Sequence, residues 1–290
     1  KEYKPNSELR LITKYVDGKE DEEAKKALNI TYYRKYYDNG KIHMFGLLKD
    51  GKKNGIVREY DREGNIINGY IYTLDTLKAE GIIDKKGEYQ GPWKIYYSSG
   101  EIRATGSYVD NLKDSVWTYY YRDGSVEQKG EFDGGTHVKY WRWYFKNGDL
   151  RREEYYRRGK LEGEVIEYDS TRNVIVKGNY LDGYKEGEWF YDVGDHTERG
   201  QYSMGMKTGE WKHFYPNGKL KFKGEYKDDL PYGTHIYYHE NGVKSLKGKY
   251  ERGLKDGAWK SYNEMGEKDH YVMYERGEEV RIDGVKVQKE

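Results

Sequence analysis

Along this chain, large aromatic residues stand among polar ones in short alternating runs, and the runs recur in register. Trp93, Trp117, Trp141, Trp189, Trp211 and Trp259 fall on one ladder, with Val165 and His235 on its two remaining rungs. Successive spacings are 24, 24, 24, 24, 22, 24 and 24 residues. Backward extension reaches Val57 and Tyr33, with roughly a dozen extra residues between Val57 and Trp93. Three positions after the rungs stand Tyr36, Tyr60, Tyr96, Tyr120, Tyr144, Tyr168, Phe214, Tyr238 and Tyr262. A glycine usually follows at the seventh position, often as Asn-Gly or Asp-Gly, and then a Gly-x-aromatic triplet such as Gly106-Ser107-Tyr108 or Gly224-Glu225-Tyr226. So many positions in step mark a tandem repeat.

Each unit reads as a β-hairpin, two short aromatic runs flanking an Asn-Gly or Asp-Gly turn whose positive φ those residues tolerate. The outer glycines Gly91, Gly163, Gly187, Gly209, Gly233 and Gly257 suit a tight link to the next hairpin. A lone two-stranded hairpin is marginal in water, so neighbours must pair and stack. The expected fold is all-β, an elongated single-sheet solenoid or ribbon of about ten tandem antiparallel hairpins with a short N-terminal helix or cap. Residues 1–30 would hold an opening half-repeat at 9–18 and a short helix at 20–28, whose acidic residues precede its basic ones. The repeats would fill 31–277, and 278–290 would cap the end, with a final hairpin over 280–287. Register breaks over 70–86, read as a degenerate unit or a loop. The unit at 163–183 has Val165 in place of Trp and reads as carrying an extra residue before Asn173.

Composition refines this. Among the 290 residues, 36% are charged and 35% hydrophobic, which alone would resemble a disordered chain. However, 52 Lys and Arg against 51 Asp and Glu leave a net +1, and the apolar content is concentrated in 34 Tyr, 7 Trp and 6 Phe. Each buried aromatic removes about 150–250 Å² from water, so a few per repeat stand in for many aliphatics. The near-neutral balance argues against general nucleic-acid binding. No run of residues matches an apolar membrane span. With no Cys there is neither a disulfide framework nor a thiol site. The first residue is Lys1 rather than Met, consistent with an upstream signal segment or with a chosen chain boundary, and membrane attachment would run only through an upstream lipid anchor.

The template G-x-W-x-x-Y-Y-x-x-G-x-I/L-x-x-x-G-x-Y-x-x-G, seen nearly intact at 91–110 and 209–228, resembles the bacterial variant of the MORN repeat. Proteins of that kind are often labelled as a toxin–antitoxin antitoxin family. The likeness covers roughly residues 30–277. It implies a hairpin-after-hairpin sheet used for protein interaction, with no catalytic residues, no cofactor and an envelope-associated, lipoprotein-like style of protein.

The ladder tryptophans Trp93, Trp117, Trp141, Trp189, Trp211 and Trp259 read as the packed seam between hairpins, because recurrence at one repeat position is what a seam requires. The rings three positions on (Tyr96, Tyr120, Tyr144, Tyr168, Phe214, Tyr238 and Tyr262) belong to the opposite strand face, beside Lys94, Thr118, Arg142, Lys212 and Lys260. They form either a structural ladder or a contact surface. His235-x3-His239 puts two rings on one strand face but has no third ligand by spacing, so no metal site is expected. Phosphate-loop, zinc-protease and nucleophile-elbow motifs are absent, and acidic pairs such as Glu153-Glu154 read as solvated faces. The expected function is a non-catalytic repeat scaffold for protein partners in a bacterial, envelope-associated assembly, periplasmic or outer-membrane associated rather than cytoplasmic. Two alternatives are a carbohydrate or cell-wall binding module and an antitoxin-type binder of a toxin protein. Homo-oligomerisation through ribbon ends is left open.

Overall fold

The structure, a computed structural model, describes residues 30–287 and the backbone of short strands at 2–3, 9–12, 15–16, 19–20 and 26–27. The chain divides into two compact units, residues 1–137 with 146–148, and residues 138–145 with 149–290. Both are all-β, and among the described residues there is no helix. Within each unit, antiparallel hairpins follow one another in chain order, as the repeat predicts. Strands Leu112–Tyr120 and Val126–Asp133 pair in the first unit, and Met206–Phe214 and Leu220–Lys227 in the second.

Two kinds of turn alternate. Within a hairpin, the link is a five-residue loop in which Tyr121 N donates to Ser125 O at 2.9 Å and Gly124 N to Tyr121 O at 3.0 Å. Only its glycine has positive φ, 86° at Gly124. The preceding Asn or Asp is selected for a different reason than its own φ. Its carboxyl or amide oxygen accepts the backbone N–H two residues on, as Asp123 does from Ser125 at 3.0 Å and Asn217 from Lys219 at 2.9 Å. Between hairpins the link is a two-residue turn with both residues at positive φ, such as Asp110 (48°) and Asn111 (68°).

The outer glycines are therefore not the links; they lie inside strands. Arg199 pairs with Lys212 and Gln201 with Thr208, so Gly200 alone opposes Gly209, Glu210 and Trp211. Gly209 opens this bulge at φ 64°. The bulge bends the strand and aims the following Trp at its neighbour. The indole then lies on the glycine of the preceding strand: a Cβ on Gly106, Gly178, Gly200 or Gly248 would overlap the ring of Trp117, Trp189, Trp211 or Trp259. Trp211 Nε1 donates to Gln201 O at 3.2 Å, and Trp117 and Trp259 make the equivalent bond. The six ladder tryptophans are at most 4% exposed.

Aromatics of the Gly-x-aromatic triplets stand edge-on between these indoles. In the second unit the sequence Tyr180, Trp189, Tyr202, Trp211, Tyr226, His235, Tyr250, Trp259, Tyr274 is continuous, with ring centroids 4.7–6.4 Å apart at each step. Lysines four positions before the rung cover the indoles from outside: Lys113, Lys185, Lys207 and Lys255 hold Nζ 4.0–4.8 Å from the ring centroids. This cover of stems and rings makes a core one side chain thick. Burial lowers the pKa of Lys113 and Lys185 accordingly.

The irregular stretches obey the same logic. Residues 70–86 are not a loop. They complete strand Ile66–Thr73 and add strand Thr76–Ile83, whose Gly81 lies beneath Trp93. The surplus is one strand with its turn. No extra residue precedes Asn173. The five-residue loop there keeps its length, and Arg172 takes the glycine place at φ 71°. The helix expected at 20–28 is not present where described: Glu20 and Lys26–Ala27 are strand, and 21–25 and 28 lie outside the described residues. So short a segment is a marginal helix by itself. The half-repeat expected at 9–18 is two separate strands, Leu9–Ile12 paired with Glu2–Tyr3 and Lys26–Ala27, and Tyr15–Val16 paired with Lys19–Glu20. Residues 13–14 and 17–18 lie outside the described residues. At the other end, Ile282 pairs with Val285 in a closing hairpin.

Two substitutions test the bulge and the glycine contact. Ser115 occupies the bulge position at φ 58°, which glycine adopts without the cost an L side chain bears. Ser115→Gly is expected to stabilise the chain by about 1 kcal/mol in denaturant unfolding. Gly200→Ala is expected to destabilise it by about 1–3 kcal/mol, because the Trp211 ring must move. An unchanged midpoint in either variant would contradict this account.

Candidate interaction face

Strand alternation sends the rung and the position two after it to one side, and the positions one and three after it to the other. The first side is closed by the aromatic stack. Trp117 meets Tyr119 and Trp189 meets Tyr191 there, at 6.1 and 5.7 Å. Burial raises the pKa of Tyr119 and Tyr191, and brings Tyr237, in the same place beside His235, to about 12.

Position four after the rung carries a tie that the sequence reading passed over. Tyr37, Tyr97 and Tyr215 each donate their hydroxyl at 2.7 Å to the carbonyl of Tyr60, Tyr120 or Tyr238, 23 residues on. His239 Nε2 reaches Tyr262 O in the same way, at 2.8 Å. His235 reproduces its tryptophan counterparts: its ring lies on Gly224, and Nε2 bonds Glu225 O at 2.8 Å. Both histidines of the His235-x3-His239 pair thus stand in for residues of the repeat. The lysine four positions before is missing at this rung, where Pro231 stands. The recurrence of Lys and of the fourth-position aromatic was visible in the sequence and could have revealed both features.

Val165 is the instructive exception on the ladder. Eleven residues earlier, where other units have glycine, stands Glu154, 3% exposed. Its carboxylate accepts from Arg152 and, at 2.9 Å, from the Tyr156 hydroxyl. Burial, then the bond to Glu154, raises the Tyr156 pKa. The smaller rung and the larger neighbour are complementary. An indole cannot lie on a residue with a Cβ, and a valine leaves room that the glutamate fills.

The opposite side is less closed. Tyr96, Tyr120, Tyr144, Tyr168, Phe214, Tyr238 and Tyr262 are all half-buried. In the first unit, Tyr96 donates to Glu80 at 2.7 Å, with Lys94 3.2 Å from the same carboxylate, and Tyr120 meets Thr105 at 3.3 Å. Burial and then Glu80 raise the Tyr96 pKa. In the second unit Arg199 lies between two rings, 5.5 Å from Phe190 and 5.9 Å from Phe214. These residues line a groove of about 850 Å³ with Val174, Lys177, Glu188, Glu210 and Lys212. Of the seven ring positions expected from the sequence to form a contact surface, Phe214 alone lines this groove. Phe190 was missed because it is one position after its rung, where the repeat usually has a polar residue.

The MORN repeat variant model matches residues 89–110, 113–133, 139–158 and 207–228. Each matched segment contains a rung tryptophan and reaches into the following strand. No curated protein gives a significant match. Among solved structures, the crystal structure of TcdB2-TccC3-Cdc42 is 11% identical over 95% of this chain and 17% of that chain, with a TM-score of 0.21. The crystal structure of TcdB2-TccC3 without hypervariable C-terminal region is 11% identical over 93% of this chain and 18% of that one, with a TM-score of 0.18. This chain spans less than a fifth of either.

The pairing of rung and neighbour at the exceptional unit gives a coupled expectation. Val165→Trp and Glu154→Gly should each destabilise the chain, the first by overlap and the second by leaving Arg152 and Tyr156 without their carboxylate. The double variant, which restores the common pair, should be more stable than the sum of the two predicts. Additivity within about 0.5 kcal/mol in a double-mutant cycle would refute the coupling.

Proposed function

Because the chain carries MORN-variant repeats, we propose that it is a non-catalytic scaffold that binds protein partners through the face opposite the tryptophan ladder. The observation that carries this reading is the groove in the second unit, where Phe190, Arg199 and Phe214 are arrayed with charges of both signs around them. Aromatic rings and arginine are enriched where protein interfaces hold most of their binding energy. The other face is committed to packing, so a partner meets the ring-and-charge face without disturbing the core. The finer expectation, a partner within a bacterial envelope assembly or a toxin protein bound by an antitoxin-type scaffold, rests on the repeat family resemblance.

A carbohydrate-binding module would draw on open aromatic platforms. The six ladder indoles are buried beneath rings and lysine stems, which favours the protein-binding reading. Affinity capture of the native chain from its source cells should retain partner proteins in near-stoichiometric amounts. Phe190→Ser with Phe214→Ser should lose them while keeping the native circular dichroism. Capture of cell-wall glycan without protein, or retention of the partners by a folded double variant, would overturn the proposal.

A further inference from the structure

The one shortened repeat holds a group of side chains that the repeat does not require. Between Trp189 and Trp211 the spacing is 22, and the two missing residues come from the hairpin loop. Asp192 pairs with Thr197, and Val193 N donates to His196 O at 3.0 Å, so Gly194 and Asp195 alone make the turn. This tight turn sets His196 beside Glu198 of its own strand and His213 of the next. His196 Nε2 lies 3.2 Å from Glu198 Oε1, and His213 Nε2 lies 3.9 Å from the same oxygen. The two imidazoles stack at 5.2 Å. One donor atom from each of the three residues fits within a 4.8 Å span.

The outer partners fix how these atoms present themselves. Asp195 Oδ1 is 2.7 Å from His196 Nδ1, and Lys221 Nζ is 2.9 Å from Asp195 Oδ2. We assign the Nδ1 proton to the bond with Asp195; Lys221, also 3.3 Å from Nδ1, then serves as the counter-ion of the aspartate. In the neutral ring, His196 Nε2 consequently carries a lone pair and faces a carboxylate oxygen at hydrogen-bond distance. Two acceptors so placed repel unless a positive charge sits between them. A carboxylate holding the far nitrogen of a histidine is also the arrangement that orients and strengthens an imidazole ligand to a metal.

We propose that His196, Glu198 and His213 bind a divalent first-row transition ion, with zinc the best match to two imidazoles and one carboxylate. Tetrahedral zinc with bonds of about 2.0–2.2 Å places its ligand atoms roughly 3.3 Å apart. The 3.2 Å and 3.9 Å separations reach that value with small side-chain adjustments. The three side chains retain 15%, 21% and 22% of their exposure, so a hydrated ion can enter. The ion would clip strand Thr197–Ser203 to strand Met206–Phe214 at the hairpin end. Its fourth position would be filled by water or by an oxygen or nitrogen ligand from a bound molecule.

The test uses the full chain without a histidine tag, titrated with cobalt(II) as the spectroscopic stand-in for zinc. One equivalent should give visible absorption of a low-coordinate site, and zinc should displace it. His196→Gln and His213→Gln should each abolish the signal while circular dichroism remains native, and Glu198→Gln should weaken binding. Asp195→Asn, which leaves the three ligands in place, should weaken binding roughly 10–100-fold. His43→Gln is the control, since His43 pairs with Glu59 at 3.0 Å in the other unit. Failure of the native chain to take up one equivalent would overturn the proposal. So would uptake that survives His213→Gln, or uptake lost equally in His43→Gln.

Discussion

The contact on which the structure depends is an indole lying flat on a glycine of the adjacent strand. A hairpin ribbon has no second layer to cover its apolar face, so that face must be covered by its own side chains. Removing the Cβ at Gly106, Gly178, Gly200 and Gly248 lets each tryptophan settle onto backbone. The Tyr rings then fill the gaps edge-on and the lysine stems cover the outside. A chain with so few aliphatic residues thereby obtains a buried core.

The other regularities follow from placing that indole. A bulge is needed to turn the tryptophan toward the preceding strand, and a residue at positive φ is needed to open the bulge, which is why an outer glycine stands two positions before most rungs. The strand opposite the bulge leaves a backbone carbonyl for the indole N–H of Trp117, Trp211 and Trp259, and His235 meets the same carbonyl position with Nε2. Where the rung is Val165, the glycine is not required, and Glu154 takes its place, its charge compensated by Arg152 and its carboxylate also accepting from the Tyr156 hydroxyl. Neighbouring repeats are joined further by the hydroxyl ties of Tyr37, Tyr97 and Tyr215. Stability in such a chain is approximately a sum of repeat terms and neighbour terms, and these bonds are the neighbour terms made visible.

Commitment of one face to packing leaves the other to vary. The position one after the rung and the position before the glycine beneath the next indole bear no such constraint, so Phe190 and Arg199 can stand there without cost to the core. The hairpin loops are similarly tolerant. Loss of two residues from one of them leaves the strand pairing intact and brings two histidines and a glutamate together. Candidate binding features therefore occur where the repeat departs from its template, on the open face or at a loop.

The sequence by itself determined the class of fold, the hairpin order and the identity of the ladder, because each rests on residues repeated at a fixed local spacing. It also located the irregular stretches, since a broken period is as legible as a kept one. It did not determine which glycine served which purpose: turn, bulge and indole seat all select the same residue for different reasons, and only strand register separates them. Nor could it show that Glu154 answers Val165, or that His196 and His213 converge. Those pairs lie on neighbouring strands, and their meeting is set by bulge and turn geometry rather than by distance along the chain.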